Sequence, residues 1–527
     1  MTKKSPACSL RSMNRSPSSL RHHSKRLKDR NKALRGSFET NHTFSLENCH
    51  GRQKDAIDSI LRIMSMTTRS LTKQSRLWIG ASLLALVASA QAAVYEVGPG
   101  KAHATIRAVP WESLKAGDVV RIYWQPEPYR EKWVLCCRGT AERPITVSGV
   151  AGPEGQLPVI QGQNATTRTA LNYWGQERGV LKIGGANVPA DTMPAHIVVE
   201  NLDISGGRQP HVFTGRKGVT PYSKDAASII VEKAEHLVLR NLTLHDSGNG
   251  LMVSAQSKHV RVERCHLHDN GNPASITEHN AYTECDGMVF EGNHFGPLRA
   301  GCVGNNLKDR SAGLVVANNW IEGGNRQLDL VDATGNPALN RSPAYGRTLV
   351  YGNVLIERDG DGNNQIVHYG GDSGKVGGYR KGVLHFYQNT VISTRKSSIA
   401  VFRLSSPEET VECHNNILYV DSKGKNLSLM AKLGILKLGK NWLNTGWVKS
   451  VDDFTGDIQV SGELIEGTEP GFVGFLQQDF SLTPGSPCLE KASPLPDQQL
   501  PVLNASYVPH QRVEVLTAGP SKNLGAL

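Results

Sequence analysis

The chain has no apolar run long enough to cross a membrane. Its most apolar stretch, residues 77–87, is eleven residues long, whereas a helix needs roughly 20 to span a bilayer core of ~30 Å, so no membrane anchor is expected. A basic body is missing too. Of 59 Lys and Arg residues, 17 precede residue 93, as do 5 of the 48 acidic residues, which leaves 42 basic against 43 acidic residues in the remainder. Nucleic-acid binding needs a concentrated basic face to neutralise phosphates, so no nucleic-acid partner is expected. The nine cysteines contain no Cys-x-x-Cys pair, which removes the common zinc frame. Cys8 and Cys49 lie in the leading region, Cys136 and Cys137 are adjacent and cannot readily pair with each other, and Cys265 and Cys413 fall at or beside apolar strand positions, where a small buried thiol is expected.

What is present begins at Met66. Arg69, Lys73 and Arg76 precede the apolar stretch, and Ala-Ser-Ala-Gln-Ala follows it to Ala92. That order reads as a secretory signal peptide over residues 66–92, cleaved after Ala92, and implies a secreted or periplasmic protein. Residues 1–65, rich in Lys, Arg, Ser and His, would bury such a signal. They read either as a start assigned too far upstream, with Met64 or Met66 the true one, or as a disordered basic extension.

Beyond residue 93 a short β-branched run ending near Asn recurs. In register it is Ile-Val-Val-Glu-Asn201-Leu-Asp-Ile, Leu-Val-Leu-Arg-Asn241-Leu-Thr-Leu, Val-Arg-Val-Glu-Arg264-Cys-His-Leu and Met-Val-Phe-Glu-Gly292-Asn-His-Phe, continuing to Asn318, Asn353, Asn389 and Asn415 with spacings of 40, 23, 28, 26, 35, 36 and 26. Spacings in the twenties fit one solenoid coil, longer ones fit coils with insertions, and the period-2 alternation excludes helical repeats. Stacked Asn residues would hydrogen-bond along the stack in a turn conformation that favours Asn. The expected fold is all-β, a right-handed parallel β-helix over residues 93–420, with a capping region and tail over 421–527. Within the latter, the apolar segment 427–443 reads as a cover for the last coil.

A second strand lies between successive column runs, at residues 250–255, 280–284, 306–310, 327–331 and 365–369. Alternation there puts Leu251, Ala281, Leu307, Leu328 and Ile366 inward. Asn280, Tyr282, Glu284, Asn306, Lys308, Arg310, Gln327 and Asp329 then share an outward face.

These features resemble the pectate-lyase-like right-handed β-helix proteins over most of residues 94–490. Leu-Lys-Ala-Gly-Asp118-Val-Val-Arg-Ile, Tyr129-Arg-Glu and Gly139-Thr-Ala-Glu-Arg-Pro144-Ile-Thr-Val are similar to the first coils of polysaccharide lyases of the chondroitinase-B and alginate-lyase type. The segment Gln-Asp479-Phe-Ser-Leu-Thr-Pro-Gly-Ser-Pro487 looks like the closing motif of secreted β-helix proteins. The resemblance implies a Lys that removes the C5 proton of a uronate, an Arg one coil later, and acidic residues ahead of the Lys that hold calcium. Lys308 matches the Lys in position. The place of the Arg is nearer Asp329, and the residues ahead of Lys308 include Gly301 and Val303, so Ca2+ is a candidate rather than an assigned cofactor.

Elimination needs a base, a cation for the developing enolate and an acid for the leaving oxygen. Lys308, Arg310, Tyr282 and His279 are the candidate catalytic residues; Arg326, Asp329, Asn280, Asn306, Glu284 and His368 are the candidate substrate contacts. The pairs His245-Asp246 and His268-Asp269 recur at one place and read as turn structure. Asp359-Gly-Asp361-Gly-Asn363 reads as a turn or a calcium loop lacking the bidentate Glu. The expected activity is an exported lyase, acting as a monomer on an acidic, uronate-containing polysaccharide. A glycoside hydrolase or C5-epimerase on the same fold, or a non-catalytic glycan-binding surface protein, are the alternatives.

Overall fold

The computed structural model describes residues 92–333 and 335–527; the signal-peptide reading and the leading extension lie outside them. From Val94–Val97 onward the chain winds as a right-handed parallel β-helix whose coils present three sheet faces. One turn of the winding runs through Leu307–Asp309, Val315–Ala317 and Trp320–Glu322. The next runs through Leu328–Leu330, Arg347–Tyr351 and Val354–Glu357, each strand pairing in parallel with its predecessor. Asn249–Glu263 and Ala281–Glu291 are long strands that bend through a corner and join two of the faces.

Alternation supplies the core. Leu251, Ala281, Leu307, Leu328, Val367 and Phe402 stand in one register column, all buried. Ile366 is buried in the core as expected, and Val367 beside it stands in register with Leu328 and Phe402. The coils also run further than residue 420. Leu427–Met430, Ile435–Leu438 and Asn441–Asn444 pair in parallel with the preceding coil, and Asp457–Val460 and Leu464–Gly467 begin another. The apolar segment 427–443 is therefore a coil, with its leucines inside, and not a cover. The tail that follows folds back along the side of the helix: Phe480 and Tyr507 pack on Trp320, and the Ala526 N–H donates to Thr390 Oγ1.

The Asn column resolves into two adjacent columns. Residues 201, 241, 264, 292, 318, 352, 388 and 415 have positive φ, the left-handed turn that Asn and Gly adopt most readily. One residue later, Asn293, Asn319, Asn353, Asn389, Asn416 and Asn441 form a buried ladder in which each side-chain oxygen accepts from the backbone N–H of its predecessor in the stack. Asn353 and Asn389 belong to this ladder, so the single column expected from sequence slipped by one residue at those two coils. The seven described cysteines are unpaired thiols, with Cys265 and Cys413 buried as expected. No helix among the described residues is long and apolar enough to cross a membrane.

Candidate functional site

Along the face that begins at Glu131–Leu135, parallel register aligns an outward column of Lys182, Ile230, Met252, Tyr282, Lys308, Asp329, His368 and Arg403. Neighbours in such a column stand ~4.8 Å apart, close to the length of a sugar unit. Arg310 extends past the end of Leu307–Asp309 and rejoins the column through Tyr282, whose Oη accepts from Arg310 Nε at 3.0 Å.

Lys308 is held by carboxylates. Its Nζ donates to Asp329 Oδ2 at 2.5 Å and to Asp372 Oδ2 at 2.7 Å. Lys308, expected as the base, is thus tied to two carboxylates at once. Arg310 lies beside it, with Nη2 2.9 Å from Asp372 Oδ1 and Nη1 donating to the Asp332 carbonyl. Burial works against the Arg310 charge, yet Tyr282 and Asp372 outweigh it and hold the guanidinium more firmly protonated.

Asp329 is the hub. Burial alone would raise its carboxyl, but the hydrogen bond from His368 Nδ1 at 2.7 Å and the charges of Lys308 and Arg326 hold it well below the usual carboxylate range. Asn305 Nδ2 donates to its other oxygen at 2.9 Å. Since an ionised carboxylate only accepts, the proton on His368 Nδ1 is fixed, and burial lowers that imidazole. His368 Nε2 stands 2.8 Å from Ser405 Oγ. This has the outline of a nucleophile relay, but Ser405 Oγ also accepts from the Gly371 N–H and donates to the Gly371 carbonyl, so it pins a loop. Arg326 reaches Asp329 at 3.6 Å and Gln365 at 2.7 Å.

Several expected contacts lie elsewhere. Asn280 and Asn306 are fully buried: Asn280 Nδ2 donates to Asn306 Oδ1 at 2.6 Å, and Asn306 Nδ2 reaches the Glu322 carbonyl. They precede the strand proper, in the turn, where alternation does not apply, and they form a second internal ladder that cannot touch a substrate. Gln327 turns inward likewise, to Glu357. His279 is buried; its Nδ1 accepts from the Asn305 N–H, and burial together with the Lys308 charge lowers it to about 3. This neutral imidazole meets the Tyr282 ring edge to face at 5.7 Å and positions it, rather than carrying a proton itself. Glu284 stays beside the groove, with burial pushing its carboxyl up and one oxygen lacking a hydrogen-bond partner.

Sequence reasoning missed Asp372 and Arg380 and gave Asp332 only to the hydrolase alternative. Asp332 and Asp372 flank the groove, and buried Arg380 bonds Asp309 Oδ1 at 3.1 Å and the Val331 and Ser311 carbonyls, locking the wall beneath them. All three sit in the insertions that stretch the coil spacing to 35 and 36 residues, which was the available signal.

The donor set does not fit calcium. Asp329 and Asp372 already face Lys308, Arg310 and Arg326. In the 359–363 loop Asp361 clamps Arg358 at 3.0 Å, as a turn does. No group of three metal-ligating side chains occurs among the described residues. His245 bonds Asp203 and stacks on His268 at 5.1 Å, so these pairs are architectural.

No family model and no curated protein matches the sequence. Among solved structures, an alginate lyase from Paenibacillus sp. str. FPU-7 is 15% identical, with a TM-score of 0.38, over 62% of this chain and 92% of that one. A pectate lyase, Pel9A, is 10% identical with a TM-score of 0.44, over 82% of this chain and 96% of its own. A lacto-N-biosidase from Eubacterium ramulus is 13% identical with a TM-score of 0.40, over 79% and 74%.

Proposed function

We propose that this chain is an exported polysaccharide lyase that cleaves a uronate-containing glycan by β-elimination. The observation that carries the reading is the Tyr282, Lys308 and Arg310 cluster: two cations and a phenol on one open strand face, with the phenol oxygen hydrogen-bonded to a guanidinium. The uronate carboxylate docks between Lys308 and Arg310. Tyr282, reacting as its phenolate, takes the C5 proton. The C–H electron pair passes into the carboxylate as an enolate that the two cations stabilise. It then returns to form the C4–C5 double bond as the C4–O bond breaks, and Tyr282 delivers its proton to the leaving oxygen.

The test is to offer the protein from residue 93 onward a panel of acidic polysaccharides and follow the ultraviolet absorbance of the unsaturated uronate. Binding without absorbance on every uronate contradicts elimination. New reducing ends without absorbance favour hydrolysis, for which the raised carboxyl of Glu284 is the available acid. Exchange of the C5 hydrogen with solvent, without cleavage, marks an epimerase.

A further inference from the structure

We propose that Asp372 is a built-in stand-in for the substrate: its carboxylate fills the subsite that Lys308 and Arg310 offer to a uronate, and a ligand must displace it to bind. The inference rests on the reading of that subsite given above and adds the residue that gates it.

Two carboxylates meet Lys308, and they differ in kind. Asp329 is sealed, with its side chain 3% exposed and both oxygens hydrogen-bonded, by His368 on one side and by Asn305 and Lys308 on the other. Asp372 is 31% exposed, and among the described residues Lys308 and Arg310 are the side chains that bond its carboxylate. The backbone of Asp372 is held independently of its carboxylate. Its N–H donates to Asp332 Oδ1 at 2.8 Å, the Ser373 N–H reaches the same oxygen at 3.3 Å, and the loop neck is closed by the Arg380 N–H on the Gly370 carbonyl. The side chain can therefore swing to solvent without unfolding the wall that carries it.

Charge bookkeeping favours exchange over simple addition. With Asp372 in place, Lys308, Arg310 and Arg326 face Asp329, Asp332 and Asp372, three cations against three carboxylates. An incoming uronate that replaces Asp372 keeps the count, whereas one added beside it would bring a fourth negative charge into a half-buried site. A neutral sugar supplies nothing to exchange, so the gate also selects for acidic units. The closed form lowers apparent affinity by the fraction of molecules in which the subsite is filled.

The experiment is calorimetric titration with sodium glucuronate, a monomer with no glycosidic bond to eliminate. Asp372→Ala is expected to bind it about tenfold tighter than the unaltered protein. Asp372→Asn, which keeps the shape and removes the charge, is expected to shift in the same direction. The gain must vanish in Asp372→Ala combined with Lys308→Met. Equal or weaker binding in Asp372→Ala overturns the proposal and makes Asp372 a direct substrate contact; a gain that survives loss of Lys308 overturns it by placing the anion elsewhere. Because binding is read without chemistry, tighter binding in a protein that eliminates nothing would sink the lyase reading and leave the gate standing.

Discussion

In the proposed mechanism Lys308 and Tyr282 divide the labour of the groove, and substitution can separate their roles. Lys308→Arg keeps the positive charge beside Asp329 and Asp372 but cannot serve as a base, since a guanidinium stays protonated. Elimination by Lys308→Arg is expected to fall by no more than about a hundredfold, while Lys308→Met falls by about a thousandfold. Tyr282→Phe removes the proton carrier and is expected to lose about 10²–10⁴-fold in kcat. An inactive Lys308→Arg beside an active Tyr282→Phe would return the base to Lys308. The placement of Lys308 and Tyr282 side by side on one outward face was legible in the sequence from period-2 alternation. The contact of Lys308 with Asp372 was not, because Asp372 lies 64 positions away and only the winding of the coil brings it near.

At the scale of elements, the stacked side chains make opposite contributions. His266 stacks on His294 at 4.3 Å and His294 on His510 at 4.2 Å; burial, then neighbouring imidazoles, lower His266 to about 2 and His294 to about 3. In the unfolded chain each titrates near 6.5. Below that pH the unfolded state binds protons that the folded state refuses, so stability falls as pH drops from about 6.5 toward about 3, by about 1.4 kcal/mol per pH unit for each such histidine. Urea unfolding at pH 7 and pH 5 should show this loss, and His266→Phe should flatten it; an unchanged slope would contradict the stack. The Asn ladder stabilises instead. Asn319→Ala orphans the Asn293 N–H and leaves Asn293 Nδ2 with the Val262 carbonyl alone, at about 1–3 kcal/mol for the buried N–H, whereas Arg264→Gly, at an exposed left-handed position with φ 52°, should change stability by less than about 1 kcal/mol. Thermal melts of the two variants distinguish the columns. Sequence alone merged them, because Asn suits both a left-handed turn and an amide ladder, and only strand pairing reveals that Gly352 and Gln388 occupy the turn column.

At the scale of the molecule, the tail after Gly467 covers what the last coils leave open. Phe480, Tyr507, Leu524 and Ala526 form one buried cluster with Trp320, Ile356, Ile392 and Ile417. Chain ending at residue 467 would expose that apolar strip, and exposed strips of this kind associate. Light scattering is expected to find a monomer for residues 93–527 and aggregates for 93–467; a monomeric short form would show that the tail is dispensable. The parallel solenoid itself was readable from recurrence, but its extent was not, since Lys432, Lys437 and Lys440 interrupt the apolar pattern of the final coils and disguise strands as a cap. On the open face these coils build, ultraviolet absorbance with an acidic polysaccharide, run in parallel on the unaltered protein, Lys308→Met and Tyr282→Phe, separates elimination from its absence. Unsaturated product is expected from the first and at least about a hundredfold less from both variants; equal product from all three refutes the elimination mechanism.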